Sequence, residues 1–168
     1  MDTTALRDAY RALLDAADTV TAPGAAERAA PPGEWDAEQI LAHVVIVNAV
    51  TLNAVCAVSS GVNTTYDNRT AADAWTLGRV IERAGGAAGL RERIRVQGEA
   101  LCALAGGVLS DAEGATPVPT LLLSNGVALV DQPVPLRDLV AGLADAELPG
   151  HTAQLLALPQ RDAAVTGG

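Results

Sequence analysis

The sequence predicts an all-α protein, a bundle of four helices with a small β-hairpin ahead of the last one. Three observations carry this. Apolar residues fill 49% of the 168 positions, yet aromatics contribute only 2% and Phe is absent. A core drawn from Ala, Val, Leu and Ile suits helices, because small side chains let backbones approach closely. Apolar residues recur at helical spacing along most of the chain. Only 120–130 reads as strand, with Asn125-Gly126 supplying the positive-φ pair that a tight hairpin turn requires. The length fits one domain, taken as 1–160, followed by a loose tail over 161–168.

The first helix is expected from Thr3 to Val20, capped by Asp2 or Thr3, with Ala5, Tyr10, Leu13, Leu14 and Ala17 as its inner stripe. The stretch from Ala22 to Gly33, rich in Ala, Pro and Gly, reads as a connecting loop. Asp36 caps a long second helix that carries Glu38 and Gln39 in its first turn and stops near Ser59-Ser60, before Gly61. Within it, Ile40 to Val58 holds no charged residue and approaches the length of a membrane span. His43, Asn48, Thr51 and Asn53 interrupt that run and no basic cluster flanks it, so a buried central helix is the better reading. A polar loop, Asn63 to Thr70, leads to a third helix near Ala71, which Gly85-Gly86 kinks or divides. Leu90, Ile94, Leu101 and Ala105 then form another stripe, ended by Gly106-Gly107. After the hairpin, a last helical segment, continuous or broken, runs from Leu136 to Leu158.

Net charge is −9, there is no Lys, and the Arg residues are dispersed. Such a surface repels phosphate backbones, which argues against nucleic acid and anionic membranes as partners. The acidic N-terminus lacks the pattern of a secretory signal, and the expected location is the cytoplasm. Cys56 and Cys102 have no metal or redox spacing and are read as buried thiols. Trp35 and Trp75 are read as core anchors. No phosphate-loop, nucleophile-elbow or dinucleotide motif is present.

The chemistry-bearing residues are few. The two histidines, His43 and His151, lie in the most apolar helix and near the start of the last apolar segment. Imidazoles on facing helices of a bundle core are a usual way to hold Zn, Ni or Fe. An unsatisfied buried imidazole costs ~1–3 kcal/mol, so each ring needs a partner. Both are expected to point into one cavity. Asn48, Thr51 and Asn53 either line a pocket or bond to neighbouring helices, and Asn48 is the candidate for substrate binding. Any anion clamp falls to Arg69, Arg79 or Arg83; Arg69, in the polar loop after the second helix, is the first choice.

Pro31-Pro-Gly-Glu-Trp-Asp-Ala-Glu-Gln-Ile-Leu-Ala-His43 resembles the start of the second helix in DinB-like proteins, which share a fold with mycothiol-dependent maleylpyruvate isomerases and thiol S-transferases. His151-Thr-Ala-Gln-Leu155 resembles the final-helix signature of that family. The resemblance implies a DinB-like four-helix bundle with a metal held by His43, a residue at 147 and His151. The family commonly has His where this chain has Glu147, a carboxylate that still completes a two-His-one-carboxylate set. Pro149 lies between Glu147 and His151, where it removes a helical hydrogen bond. By the same resemblance, His43 and His151 are catalytic, and a divalent Zn or Ni activates a low-molecular-weight thiol such as mycothiol. The implied activity is thiol S-transfer or isomerisation on a small electrophilic metabolite. Two other readings stay open, a metal-free bundle that binds a small molecule for sequestration or resistance, and a lyase or cyclase using His43 as base. A core of small aliphatics that leaves helix surface uncovered favours a homodimer.

Overall fold

A computed structural model describes residues 1–21, 28, 30–124 and 126–160. The chain is mostly helical, with one small three-stranded sheet. The expected tail over 161–168, most of the loop after the first helix, and Asn125 of the hairpin turn lie outside the described residues.

Helix α1 spans Thr4–Thr21, and the Asp2 carboxylate accepts from the Thr4 backbone N–H at 2.9 Å. Its buried stripe begins at Leu6 rather than Ala5 and continues through Tyr10, Leu13 and Ala17. Helix α2, Ala37–Ser59, starts in a reciprocal cap: the Asp36 side chain accepts from the Gln39 N–H while the Gln39 side chain accepts from the Asp36 N–H. That pair satisfies two amides the helix itself cannot. Among the described residues α2 alone is long and apolar enough to cross a membrane, and most of it is buried within the chain's own packing. A helix apolar on every side belongs at the centre, and α2 packs against α4, α3, α1 and the last helix.

The polar loop after α2 holds more structure than its composition indicates. Strand β1 is the pair Tyr66–Asp67, and a single tight helical turn follows at Arg69–Ala72. Helix α3 then runs over Ala74–Ala84 and α4 over Ala87–Gly107, so Gly85-Gly86 divides two helices instead of kinking one. Both glycines have positive φ, +74° and +88°, which L side chains adopt reluctantly. Glu38 in the first turn of α2 accepts from the Ala87 N–H at 3.0 Å and so caps α4 from across the core. Leu90, Ile94, Leu101 and Ala105 are buried, as their spacing predicts.

A one-turn helix, α5 at Asp111–Gly114, leads into β2, Pro117–Ser124, which pairs antiparallel with β3, Val127–Pro135. The strands extend several residues beyond the expected 120–130. Strand β1 adds to the other edge of β2 in parallel, Tyr66 opposite Thr120. The last helical run begins as α6, Leu136–Gly142, widens into a π turn over Leu143–Glu147, and continues as α7, Leu148–Ala157. In that turn the Leu148 N–H reaches back five residues to the Leu143 carbonyl. Helical geometry restarts there, so Pro149 occupies a first-turn position, where its missing N–H is tolerated. Helix α1 packs against α4 and α7.

Two single-residue expectations are corrected. Cys102 is buried but Cys56 is exposed. Trp75 is no core anchor, being 74% exposed. It lies two residues, or about 200° of helix turn, from Leu77, the one fully buried residue of α3. Trp35, by contrast, is half-buried and packs against the core as expected, and it also contributes to a cavity wall.

Candidate metal centre

Three elements converge on one point. The second turn of α2 carries His43, the turn Arg69–Ala72 faces it, and the last helix supplies Glu147 and His151. His43 Nδ1 lies 2.8 Å from the Ala71 carbonyl. A carbonyl only accepts, so Nδ1 carries the proton and donates it. That leaves Nε2 facing Glu147 Oε1, 2.8 Å away. His151 repeats the arrangement: Nδ1–H donates to Gln154 Oε1 at 2.9 Å, and Nε2 faces the same Glu147 oxygen at 3.3 Å. The ring centroids of His43 and His151 are 4.7 Å apart.

Two Nε2 atoms aimed at one carboxylate oxygen admit two occupancies. Either protons on the Nε2 side are donated to Oε1, or the lone pairs and the carboxylate share a cation. The three ligand atoms lie within 4.8 Å of one another and form a group that is able to hold a metal ion. Tetrahedral zinc with bonds of about 2.0–2.1 Å separates its donors by roughly 3.3 Å. The His151–Glu147 distance already matches; the His43–Glu147 pair needs to open by about half an ångström. Two imidazole nitrogens and a carboxylate are a usual donor set for a divalent ion of this kind, so the residues fit it. Backbone and amide acceptors on the far nitrogens orient both rings, as outer partners do for metal-ligating imidazoles.

Burial pushes the Glu147 carboxyl up, but hydrogen bonds from His151 and His43 outweigh it and hold the group down at about 2. Burial pushes His151 down, and its bond to Glu147, aided by the Glu147 charge and by Gln154, more than reverses this and raises it. The linkage for metal-free protein has two limbs. A raised His151 stabilises fully below its unfolded value near 6.5, and that share is lost as pH rises through the folded value. A depressed Glu147 stabilises above about 4.5 and loses that share as pH falls towards 2. The chelator-treated protein should therefore gain most from this cluster between about pH 4.5 and 6.5. Its thermal midpoint is expected to fall from pH 6 to pH 9, and His151→Gln should flatten that limb; an equal fall in the variant would contradict the assignment.

The cluster opens into a cavity of about 640 Å³ lined also by Trp35, Asn68 and Leu122. The Trp35 ring sits 5.0 Å from that of His43, centroid to centroid. A larger hollow of about 750 Å³, between the end of α2 and the start of β2, is lined by no ionisable side chain. Chemistry therefore selects the smaller one.

No family model, curated protein or solved structure matches the chain. The site is consequently read from its own geometry.

Of the expected site residues, the structure brings together His43, Glu147 and His151. Asn48 is elsewhere. It is fully buried, accepts from the Tyr10 hydroxyl at 2.7 Å and donates to Gln97 at 3.4 Å, bonding α2 to α1 and α4. Arg69 also lies outside the cavity wall. Its guanidinium is exposed and grips both oxygens of Asp67, Oδ1 at 3.1 Å and Oδ2 at 2.6 Å. Arg79 and Arg83 line a separate surface hollow beside Trp75. Three contributors escape a reading of sequence. The Ala71 carbonyl is a backbone group that any residue would supply. Asn68 is one polar residue among eight in its loop; its amide exchanges two hydrogen bonds with the Leu123 backbone, at 3.0 and 2.8 Å, and anchors the cavity wall where β2 is bulged. Trp35 is signalled only by its place next to the Asp36 cap.

Proposed function

We propose that this chain is a DinB-like four-helix bundle, with β2 and β3 as its hairpin, that holds a divalent Zn or Ni at His43, Glu147 and His151. Its activity is thiol S-transfer or isomerisation on a small electrophilic metabolite, with a low-molecular-weight thiol of the mycothiol class as co-substrate. One observation carries the reading: two imidazoles whose Nδ1 protons are already committed turn their Nε2 atoms onto a single carboxylate oxygen. The order of the helices and the sheet placed before the last of them support the fold assignment. A bound ion would supply a Lewis acid that lowers the pKa of a coordinated thiol. The protein's own residues do the rest. Ala71 and Gln154 orient the imidazoles, Trp35 and Leu122 line the cavity beside them, and Glu147 supplies the negative charge that favours a cation. On this reading the protein works in the cytoplasm as a homodimer, without nucleic acid or membrane.

The metal-free alternative rests on the same contacts, since hydrogen bonds to Glu147 satisfy them without an ion. In that state the cavity binds a small molecule, or His43 serves as a base for a lyase or cyclase. Elemental analysis of purified protein separates the two. The metal reading expects about one equivalent of Zn or Ni per chain, lost in His43→Ala with helicity retained. Protein that takes up no metal when dialysed against either ion rejects it.

A further inference from the structure

We propose that the exposed row of α3 docks an acidic, extended segment of a partner protein, with an apolar side chain laid on Trp75 and carboxylates held by Arg83 and Arg93. This surface stands apart from the metal centre. Trp75, Arg79 and Arg83 recur every fourth residue, which sets them in one row along the helix. Together with Val80, and with Arg93 of α4, they line a shallow hollow of about 460 Å³ that no carboxylate lines among the described residues. In a chain with 20 acidic residues against 11 Arg, composition alone would rarely deliver such a wall.

The chain's own contacts leave this row unfinished. Trp75 is 74% exposed, so folding gains little from an aromatic side chain there. Arg79 is paired with Glu82. Arg83 and Arg93 form no ion pair among the described residues. Yet the Arg93 guanidinium donates to the Arg83 carbonyl at 2.9 Å, which brings the second cation up to the end of α3. Two uncompensated guanidiniums beside a bare indole are the residue types that carry most binding energy in protein interfaces. A tryptophan left so open lies on a surface and not in a pocket. That disfavours a small molecule, since ligand sites enclose most of what they bind. A short segment confines its charges to the patch, whereas a phosphate backbone would continue onto a surface of net charge −9. From Trp75 to Arg83 the row runs ~12 Å, the reach of about four extended residues. The segment therefore carries its apolar residue and its carboxylates about three or four places apart.

The test presents the full chain to immobilised hexapeptides, acetylated and amidated, each with one Leu and two Glu in every order and spacing among Ser and Gly. Matched sets replace Glu by Gln, or Leu by Gly. At low ionic strength, members with Leu and Glu at the stated separation should bind about tenfold tighter than either matched set. Trp75→Ala should weaken that binding by roughly tenfold or more. Arg83→Gln and Arg93→Gln should each weaken it about two- to fivefold, and all three variants should keep the helicity and thermal midpoint of the wild type. Added salt should erode the advantage of Glu over Gln. The proposal is overturned when no member binds with a Kd below ~1 mM, when Gln serves as well as Glu, or when the variants bind as the wild type does. Two further arms identify other occupants. A single-stranded oligonucleotide that binds more tightly than the best peptide overturns the proposal in favour of nucleic acid. Sedimentation in which Trp75→Ala turns a dimer into a monomer overturns it in favour of a second copy of the chain.

Discussion

Replacing Glu147 with glutamine is expected to weaken zinc binding by at least ~100-fold, beyond the usual effect of altering an outer-shell partner. The amide keeps the size and a carbonyl oxygen but loses the charge that makes the point between His43 Nε2 and His151 Nε2 attractive to a cation. Folding should survive, with a loss of ~1 kcal/mol for the weakened hydrogen bonds. Competition against a chromophoric chelator measures the first quantity and thermal unfolding of metal-free protein the second. Glu147→His is the informative companion. It places a second imidazole four residues before His151, recreating the three-His set that the resemblance implies, and should hold zinc. Equal zinc affinity in wild type and Glu147→Gln would remove Glu147 from the ligand set.

The largest effect on stability is expected from Gly89→Ala. A Cβ built at Gly89 falls 1.8 Å from the carbonyl oxygen of Ala84 and 2.8 Å from its carbon. Both are backbone atoms at the end of α3, so no rotamer change relieves the overlap, and the α3–α4 corner must open. Loss of about 3 kcal/mol follows, the upper end of ordinary overpacking. Gly78→Ala provides the contrast. Gly78 lies inside α3 with nothing within 4 Å of the point an added Cβ would occupy, and alanine there should gain roughly 0.5–1 kcal/mol from helix propensity. Urea denaturation of both variants, with unchanged slopes, checks the pair. A neutral Gly89→Ala would show that the corner is looser than its geometry implies.

How much of this was legible beforehand differs by element. Helices α1, α2 and α4 follow from apolar spacing and caps, because each has a long stripe or a self-satisfying first turn. Strand β1 does not: two residues carry no periodicity, and Tyr66–Asp67 is a strand only because β2 offers it an edge. The triad was readable from two scarce imidazoles on apolar segments together with the resemblance that named position 147. The wall around it was not, since Asn68 acts through its amide and Ala71 through its carbonyl. Trp75 misled for a compositional reason. In a chain with so few aromatics a tryptophan looks too valuable to expose, yet helix phase puts it opposite Leu77. Cys56 misled because α2 is apolar all round, so composition hides which side meets solvent.

The π turn ahead of Pro149 has a consequence for what position 147 is free to be. The buried residues of the last helical run fall at Leu136, Leu139, Val140 and Leu143, then at Leu148 and Leu155. Counted in steps of three and four, the row from Leu143 should continue at 146 or 147; instead it resumes after five. One additional residue has been taken into the coil. The task of filling the interior passes from 147 to Leu148, and the side chain that would have been apolar is released to carry a charge. A regular α-helix over these same residues would instead put Glu147 in the oily row at the fourth place after Leu143, so the widened turn matters to the site as much as the glutamate does.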